Sequence, residues 1–364
     1  NSQGYIYLST GNNGIILKVS PLGEVSNYFS PDKILTRALT IDSQDNLYVG
    51  TSPRGRVYRI SPGGLPEIYF NSEEEYIWDL ISDDDGNLYV ATGSPANIYK
   101  IPPGFQVEDK AELWFRCPQT HLTKLAWDSN GQLLAGSSPG GVLYRIENKN
   151  KGYALYNSGA QEIKNIIAKK DGTLFFSTFT HDLIDKNIEP LSKTEYNYPM
   201  PTYSVTIMEE KSNFNHSNTP LPTIKGASSR IYKIDSDGFV EPIWESYNFN
   251  IYSLIPYEDQ SLLIGTNDRG RLYSVQNRSE WSLIQQTPDG GELTVLIPDP
   301  IHPNSIIAIS SNPAKIYRLP SGVAETGLYK SPVIDFKQIV KWGNLLPTTG
   351  NNLTSLSTFR TRTG

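Results

Sequence analysis

The side chains best suited to recognition chemistry stand at fixed offsets from a recurring aliphatic residue, Leu39, Leu80, Leu125, Ile166, Leu254 and Leu296. Two positions upstream are Arg37, Trp78, Thr123, Lys164, Tyr252 and Thr294, and one upstream are Ala38, Asp79, Lys124, Asn165, Ser253 and Val295. Four upstream are Leu35, Tyr76, His121, Glu162, Asn250 and Glu292. A residue needed for structure repeats from copy to copy. These differ, which predicts a site assembled from several copies around one concavity. Its candidates are Arg37, Tyr76, Trp78, Asp79, His121, Lys124, Glu162, Lys164, Asn165, Asn250, Tyr252 and Glu292. The plainer alternative is a hydrated channel mouth whose residues have drifted. As a site, the mixture suits a protein loop, a peptide or a carbohydrate, with aromatic faces for area and polar groups for orientation.

Other chemistries fit less well. Glu162, Asn165, Asn250 and Glu292 offer oxygen donors of the kind a divalent ion accepts, but they form no local motif. His121, His181, His216 and His302 lack the paired spacing of zinc ligands. His121 has no visible orienting partner and reads as a hydrogen-bonded loop histidine, not a base. Asp83-Asp84-Asp85-Gly86 and Asp235-Ser236-Asp237-Gly238 resemble calcium loops but lack the later glutamate, so they read as turns. Gly11–Gly14 and Gly140-Gly141 are hairpin bends, since no helix follows to cradle a phosphate. Cys117 is alone, which excludes an intramolecular disulfide and a thiolate cluster and leaves a packing role. No metal and no cofactor is expected.

What positions the candidates is a repeated hairpin. In Gly86–Ile101, strand formers Leu88–Thr92 run into a turn, Gly93-Ser94-Pro95-Ala96-Asn97, and return as Ile98–Ile101. The second strand recurs at Leu17, Tyr58, Tyr99, Tyr144, Tyr232, Tyr273 and Tyr317, with spacings of 41, 41, 45, 88, 41 and 44. Its partner recurs at Ile6, Leu47, Leu88, Leu133, Leu174, Leu262 and Ile306. The spacing of 88 reads as one period plus an insertion of 47 residues. An apolar run precedes each hairpin and an aromatic-rich run follows it, giving four short strands per repeat. Sheets this small bury both faces only by stacking on their neighbours. The prediction is an all-β fold, a seven-bladed β-propeller of four-stranded antiparallel blades. Gly50-Thr51, Gly136-Ser137 and Gly265-Thr266 read as bends suited to close approach and positive φ.

The propeller is expected over residues 1–332, with the insertion at 179–226 inside one blade. Leaving from the bend between second and third strands, the insertion is expected on the face of the polar mouth. Tyr196, Tyr198, Tyr203 and Phe214 would anchor it there or against a partner. Residues 333–364 read as a linker and the start of a β-sandwich-like domain, and both chain ends look cut.

The net charge of −6, without a basic block, argues against nucleic acid as partner. No apolar run approaches the roughly 18 residues of a membrane span.

Repeats of the form D-x-x-G-N-L-Y-V-G-T-x-x-x-G-x-V-Y-R-I stand at Asp42–Ile60, Asp83–Ile101, Asp128–Ile146 and, in part, Leu262–Val275. In them the chain resembles bacterial extracytoplasmic propellers with WD-like, two-component-regulator-type or quinoprotein-like repeats. The tail, Ser331–Gly343 with Phe359–Gly364, resembles the join to a sandwich domain in such proteins. The resemblance implies a periplasmic or secreted location and a fold, but no activity. The Gly-His and Trp-Asp signature, the kelch double glycine and the quinoprotein tryptophan motif are all missing. The expected function is a non-catalytic interaction or ligand-binding module of a larger protein. Two alternatives remain open. One is a metal-assisted enzyme at the channel, on the analogy of lactonases, strictosidine synthases or lyases, and the other is a structural subunit of a surface assembly.

Overall fold

The computed structural model describes residues 1–10, 14–31, 35–180, 228–257, 261–302 and 305–319. All belong to one unit, Asn1–Ser321. Among them are 26 strands and no helix, paired antiparallel in chain order. The strands fall into seven consecutive sets, compatible with seven blades, here numbered I to VII. Blades II to VI have four strands each, while blades I (Ile6–Phe29) and VII (Glu292–Leu319) show three. The inner strands of blades II to VII are Leu35–Ile41, Tyr76–Ser82, His121–Trp127, Glu162–Ala168, Ile251–Tyr257 and Glu292–Pro298. Each of these lies beside the next. Gly4, ahead of blade I, leaves no room for a side chain against Ile301 of blade VII, so the first residues meet the last blade.

Turn chemistry sets the hairpins. Asp83 Oδ1 accepts the Asn87 amide at 2.8 Å, and Asp128 Oδ1 accepts the Asn130 and Gln132 amides, both at 2.8 Å. Asp235 Oδ1 takes the Phe239 amide at 2.8 Å in the same way. These carboxylates therefore serve as hydrogen-bonded turns, with Gly86 supplying the left-handed residue at φ 83°.

Burial is heaviest on the second strands. Leu47–Ser52, Leu88–Gly93 and Ser261–Thr266 are buried at every position, because blades on both sides cover them. Gly50, Gly136 and Gly265 lie inside these strands, not at bends, and none has a positive φ. Their reason is proximity. A Cβ on Gly50 would meet Ile77 Cγ2 at 2.6 Å, and one on Gly136 would meet Ile163 Cγ2 at 2.7 Å, both in the following blade.

A second seam runs between blades further out. Phe29, Phe70, Phe115, Tyr156 and Trp244 each place a ring on the repeat tyrosine of the next blade, namely Tyr58, Tyr99, Tyr144, Tyr232 and Tyr273. Centroid separations run from 5.1 to 6.4 Å, the range of favourable ring pairs. In blade VI the same register position, opposite Leu272, holds Gln285. That outer strand, Trp281–Gln286, is exposed along its whole length. Cys117 is buried, and desolvation pushes its thiol up to about 11. Residues 320–364 and 181–227, which carry the expected sandwich and most of the insertion, lie outside the described residues.

Candidate functional site

Each inner strand carries a β-bulge, and it falls at the same place six times. Pairing with the second strand skips from Thr36 to Ala38, Ile77 to Asp79, Leu122 to Lys124, Ile163 to Asn165, Ile251 to Ser253 and Leu293 to Val295. The skipped residues are Arg37, Trp78, Thr123, Lys164, Tyr252 and Thr294, the divergent column two upstream of the aliphatic position. A bulged residue has no cross-strand partner and its side chain is re-aimed, so its identity is released from the demands of the ladder. This gives the divergence a physical basis.

Four candidates from blades II, III and IV form one connected cluster. The Arg37 guanidinium lies 5.2 Å from the Trp78 ring centre, and Trp78 stacks on Tyr76 at 5.6 Å and 20°. His121 stands edge-on to both rings, at 5.2 Å from Trp78 and 5.8 Å from Tyr76. Trp78 Nε1 donates to His121 Nδ1 at 3.1 Å. His121 is the first residue of an inner strand, not a loop residue, and it does have an orienting partner. That partner is the bulge residue one repeat earlier, which no local sequence pattern reveals. Beneath the hydrogen bond sits Gly93, which pairs with both Tyr76 and His121 and is where the sheets of blades III and IV join. The turn predicted from Gly93 thus begins one residue later. The equivalent residues opposite Leu35 and His121 are Ser52 and Ser138, so a glycine at this one position was the signal for close approach.

The remaining candidates are more firmly tied. Asp79 lies 2.9 Å from Lys124 Nζ and accepts the Leu125 amide of the next blade at 2.8 Å. Ser253 does the same for the Leu296 amide at 2.8 Å. At these two positions the column serves the inter-blade seam. Asp79→Ala is expected to strand the Leu125 amide and cost about 1–3 kcal/mol by urea denaturation, whereas Asp79→Asn keeps an acceptor and most of the stability. Equal stability of the alanine variant and the parent would refute that role. Glu162 holds Lys164 at 2.8 Å, and Asn165 Nδ2 donates to Ser177 Oγ at 2.8 Å. On the opposite arc, the Asn250 amide donates to Asn267 Oδ1 at 2.8 Å, and Ser311 Oγ donates to Glu292 at 3.0 Å. Burial, followed by the Glu292 charge, raises the Tyr252 phenol above its ordinary range. Among the described residues, no hydrogen bond or ring contact joins this second group to the first. Nor do three His, Cys, Asp or Glu side chains gather as metal donors there.

Burial holds His121 below its ordinary value of 6.5, with the Glu162 carboxylate opposing the shift. The neutral ring accepts at Nδ1 and so carries its proton on Nε2. As pH falls, the unfolded chain takes up this proton first, so His121 costs stability as pH drops through about 6.5. In an NMR titration, Glu162→Gln is expected to lower the His121 pKa further. The Trp78 indole proton should shift with the same midpoint. Independent titration of the two signals would contradict the hydrogen bond.

The chain leaves the described residues beside Glu162. Phe179 pairs with Glu162, and the Thr180 amide donates to Ser228 O at 2.9 Å where the described chain resumes. Tyr196, Tyr198, Tyr203 and Phe214 lie outside the described residues.

No family model matches the sequence, and no curated protein matches it either. Solved structures do share its fold. A streptogramin B lyase aligns over 88% of this chain and 90% of its own, with a TM-score of 0.62 and 12% identity. YCF48 bound to D1 peptide aligns over 88% and 91%, with a TM-score of 0.59 and 10% identity. The propeller domain of Cps50 (Swd1) from Myceliophteria thermophila aligns over 86% and 93%, with a TM-score of 0.56 and 10% identity. Likeness at this level of identity carries architecture and not activity. The chain is a β-propeller protein.

Proposed function

We propose that this propeller is a non-catalytic module that binds a protein or peptide segment at the mouth lined by its bulge residues. The observation that carries the reading is the cluster of Arg37, Tyr76, Trp78 and His121, drawn from three blades and linked through Trp78. Stacked aromatic rings beside an arginine are the composition of binding hot spots. One propeller of similar fold, YCF48, is bound to a peptide. An enzyme reading would call on His121 as a base, but its acceptor nitrogen already receives the Trp78 proton. By the sequence resemblance, the module belongs to a larger extracytoplasmic protein.

The test is panning of a random displayed dodecapeptide library on the immobilised protein. Selected peptides should lose about tenfold or more in affinity for Trp78→Ala. They should be indifferent to Trp281→Ala, a residue 52% exposed on the outer strand of blade VI. Peptides that bind Trp78→Ala as they bind the parent would refute the reading.

A further inference from the structure

The mouth holds three cations among its candidate residues, and their circumstances differ. Lys124 is 2.9 Å from Asp79, and Lys164 is 2.8 Å from Glu162, so each is neutralised within the protein. Arg37 is exposed, and among the described residues it has no carboxylate partner. It lies over the Trp78 ring, with the guanidinium carbon 5.2 Å from the ring centre. Contact with an indole restricts where the guanidinium sits, and the exposure of the side chain leaves N–H donors to solvent. That is a preorganised fork for a planar anion. A second donor stands at the Nε1 edge of the same indole. His121 accepts from Trp78 through Nδ1, which leaves Nε2–H directed elsewhere.

We infer that the segment bound at this mouth carries a carboxylate, held by Arg37 with His121 Nε2–H as a second donor, and places an apolar or aromatic group against the Tyr76–Trp78 stack. The inference rests on the proposed mouth site and names what that site selects. One guanidinium and one neutral imidazole match a single negative charge. A dianion is a poor match, because Glu162 lies close enough to influence His121 and repels it. The chain is acidic overall, with a net charge of −6, so a cation left without a partner at the mouth is a local exception that favours one class of ligand. The carboxylate belongs either to an Asp or Glu side chain or to a chain terminus, and Arg37 reads the same chemistry in both.

Three sets of synthetic eight-residue peptides, all rich in Trp, Tyr, Pro and Leu, separate the sources. The first set is neutral with a free C-terminal carboxylate. The second is amidated with one Asp or Glu, and the third is amidated and neutral. The parent protein is expected to retain the first or second set and to leave the third, and whichever is retained identifies the source. Arg37→Gln should weaken retained peptides about tenfold or more and flatten the salt dependence of binding, with Arg37→Lys partly restoring both. Arg37 is exposed, so folding is not at stake in either variant. If third-set peptides bind as tightly and are lost with Trp78→Ala but not Arg37→Gln, the carboxylate inference is overturned and the mouth site stands. Binding that ignores Trp78→Ala, or retention of none of the sets, overturns both.

Discussion

Gly93→Val is expected to weaken the proposed recognition at the mouth about tenfold or more while leaving the propeller folded. A Cβ at this position would overlap both His121 Nδ1 and Trp78 Nε1, the two atoms that share a hydrogen bond directly above it. A branched side chain must push the rings apart, which breaks the bond and unstacks the Tyr76–Trp78–Arg37 array. The displaced atoms belong to half-buried side chains and not to backbone, so the cost to stability should be that of ordinary overpacking, about 1–3 kcal/mol. Affinity for any peptide selected on the parent should fall about tenfold or more, since a central hot spot is lost as a unit. The His121 pKa should also rise, because the indole no longer favours the neutral ring. Calorimetry and an NMR titration read the two effects. Unchanged affinity in a folded Gly93→Val variant would remove the cluster from the site.

The largest loss of stability is expected from Phe176→Ala. Its ring is fully buried between blades IV and V, packed with Leu134, Leu143, Ile163 and Tyr232. It stacks on Tyr232 at 4.9 Å and 9°, and meets Tyr156 at 5.8 Å. Truncation leaves a cavity that rigid strands on both sides cannot close, at a cost of about 3–5 kcal/mol. That is a large fraction of the roughly 5–15 kcal/mol that holds a typical domain together. Leu283→Ala, at a residue 47% exposed on the outer strand of blade VI, should stay within about 0.5 kcal/mol of the parent. Urea denaturation of both variants tests the contrast, and a small effect at Phe176 would mean that the blades reseat more freely than their packing implies.

The architecture was legible in the sequence because a four-stranded blade advertises itself twice, by alternating strand formers and by turn residues at a fixed beat. Tyr58, Tyr99 and Tyr144 mark that beat before any contact is known. Their partners were not legible. Phe70 finds Tyr99, and Phe115 finds Tyr144, across a blade boundary, so the pattern is one of aligned columns and not of neighbours. The variable column was visible as divergence at Arg37, Trp78 and Lys164, yet the bulge beneath it was not, since a skipped pairing leaves no mark on composition. Asp79 shows the limit of that signal. It varies between copies like its neighbours, but its carboxylate is occupied by a backbone amide of the next blade. His121 gained its partner, and Gly93 its importance, only through a contact spanning a full repeat. The run Asn352-Leu353-Thr354-Ser355-Leu356, outside the described residues, matches His121-Leu122-Thr123-Lys124-Leu125 and Glu292-Leu293-Thr294-Val295-Leu296 at the two leucines and the threonine.

The six bulges have a practical corollary for protein engineering. Because residues 37, 78, 164 and 252 stand outside the backbone ladder, they can be randomised together, whereas Thr123 is kept for its hydroxyl bond to Ile163 O of the next blade at 2.9 Å and Thr294 for its bond to Ile309 O at 3.3 Å. A combinatorial library confined to those codons would vary the chemistry of the mouth on a single unaltered frame, as loop grafting does on an antibody domain.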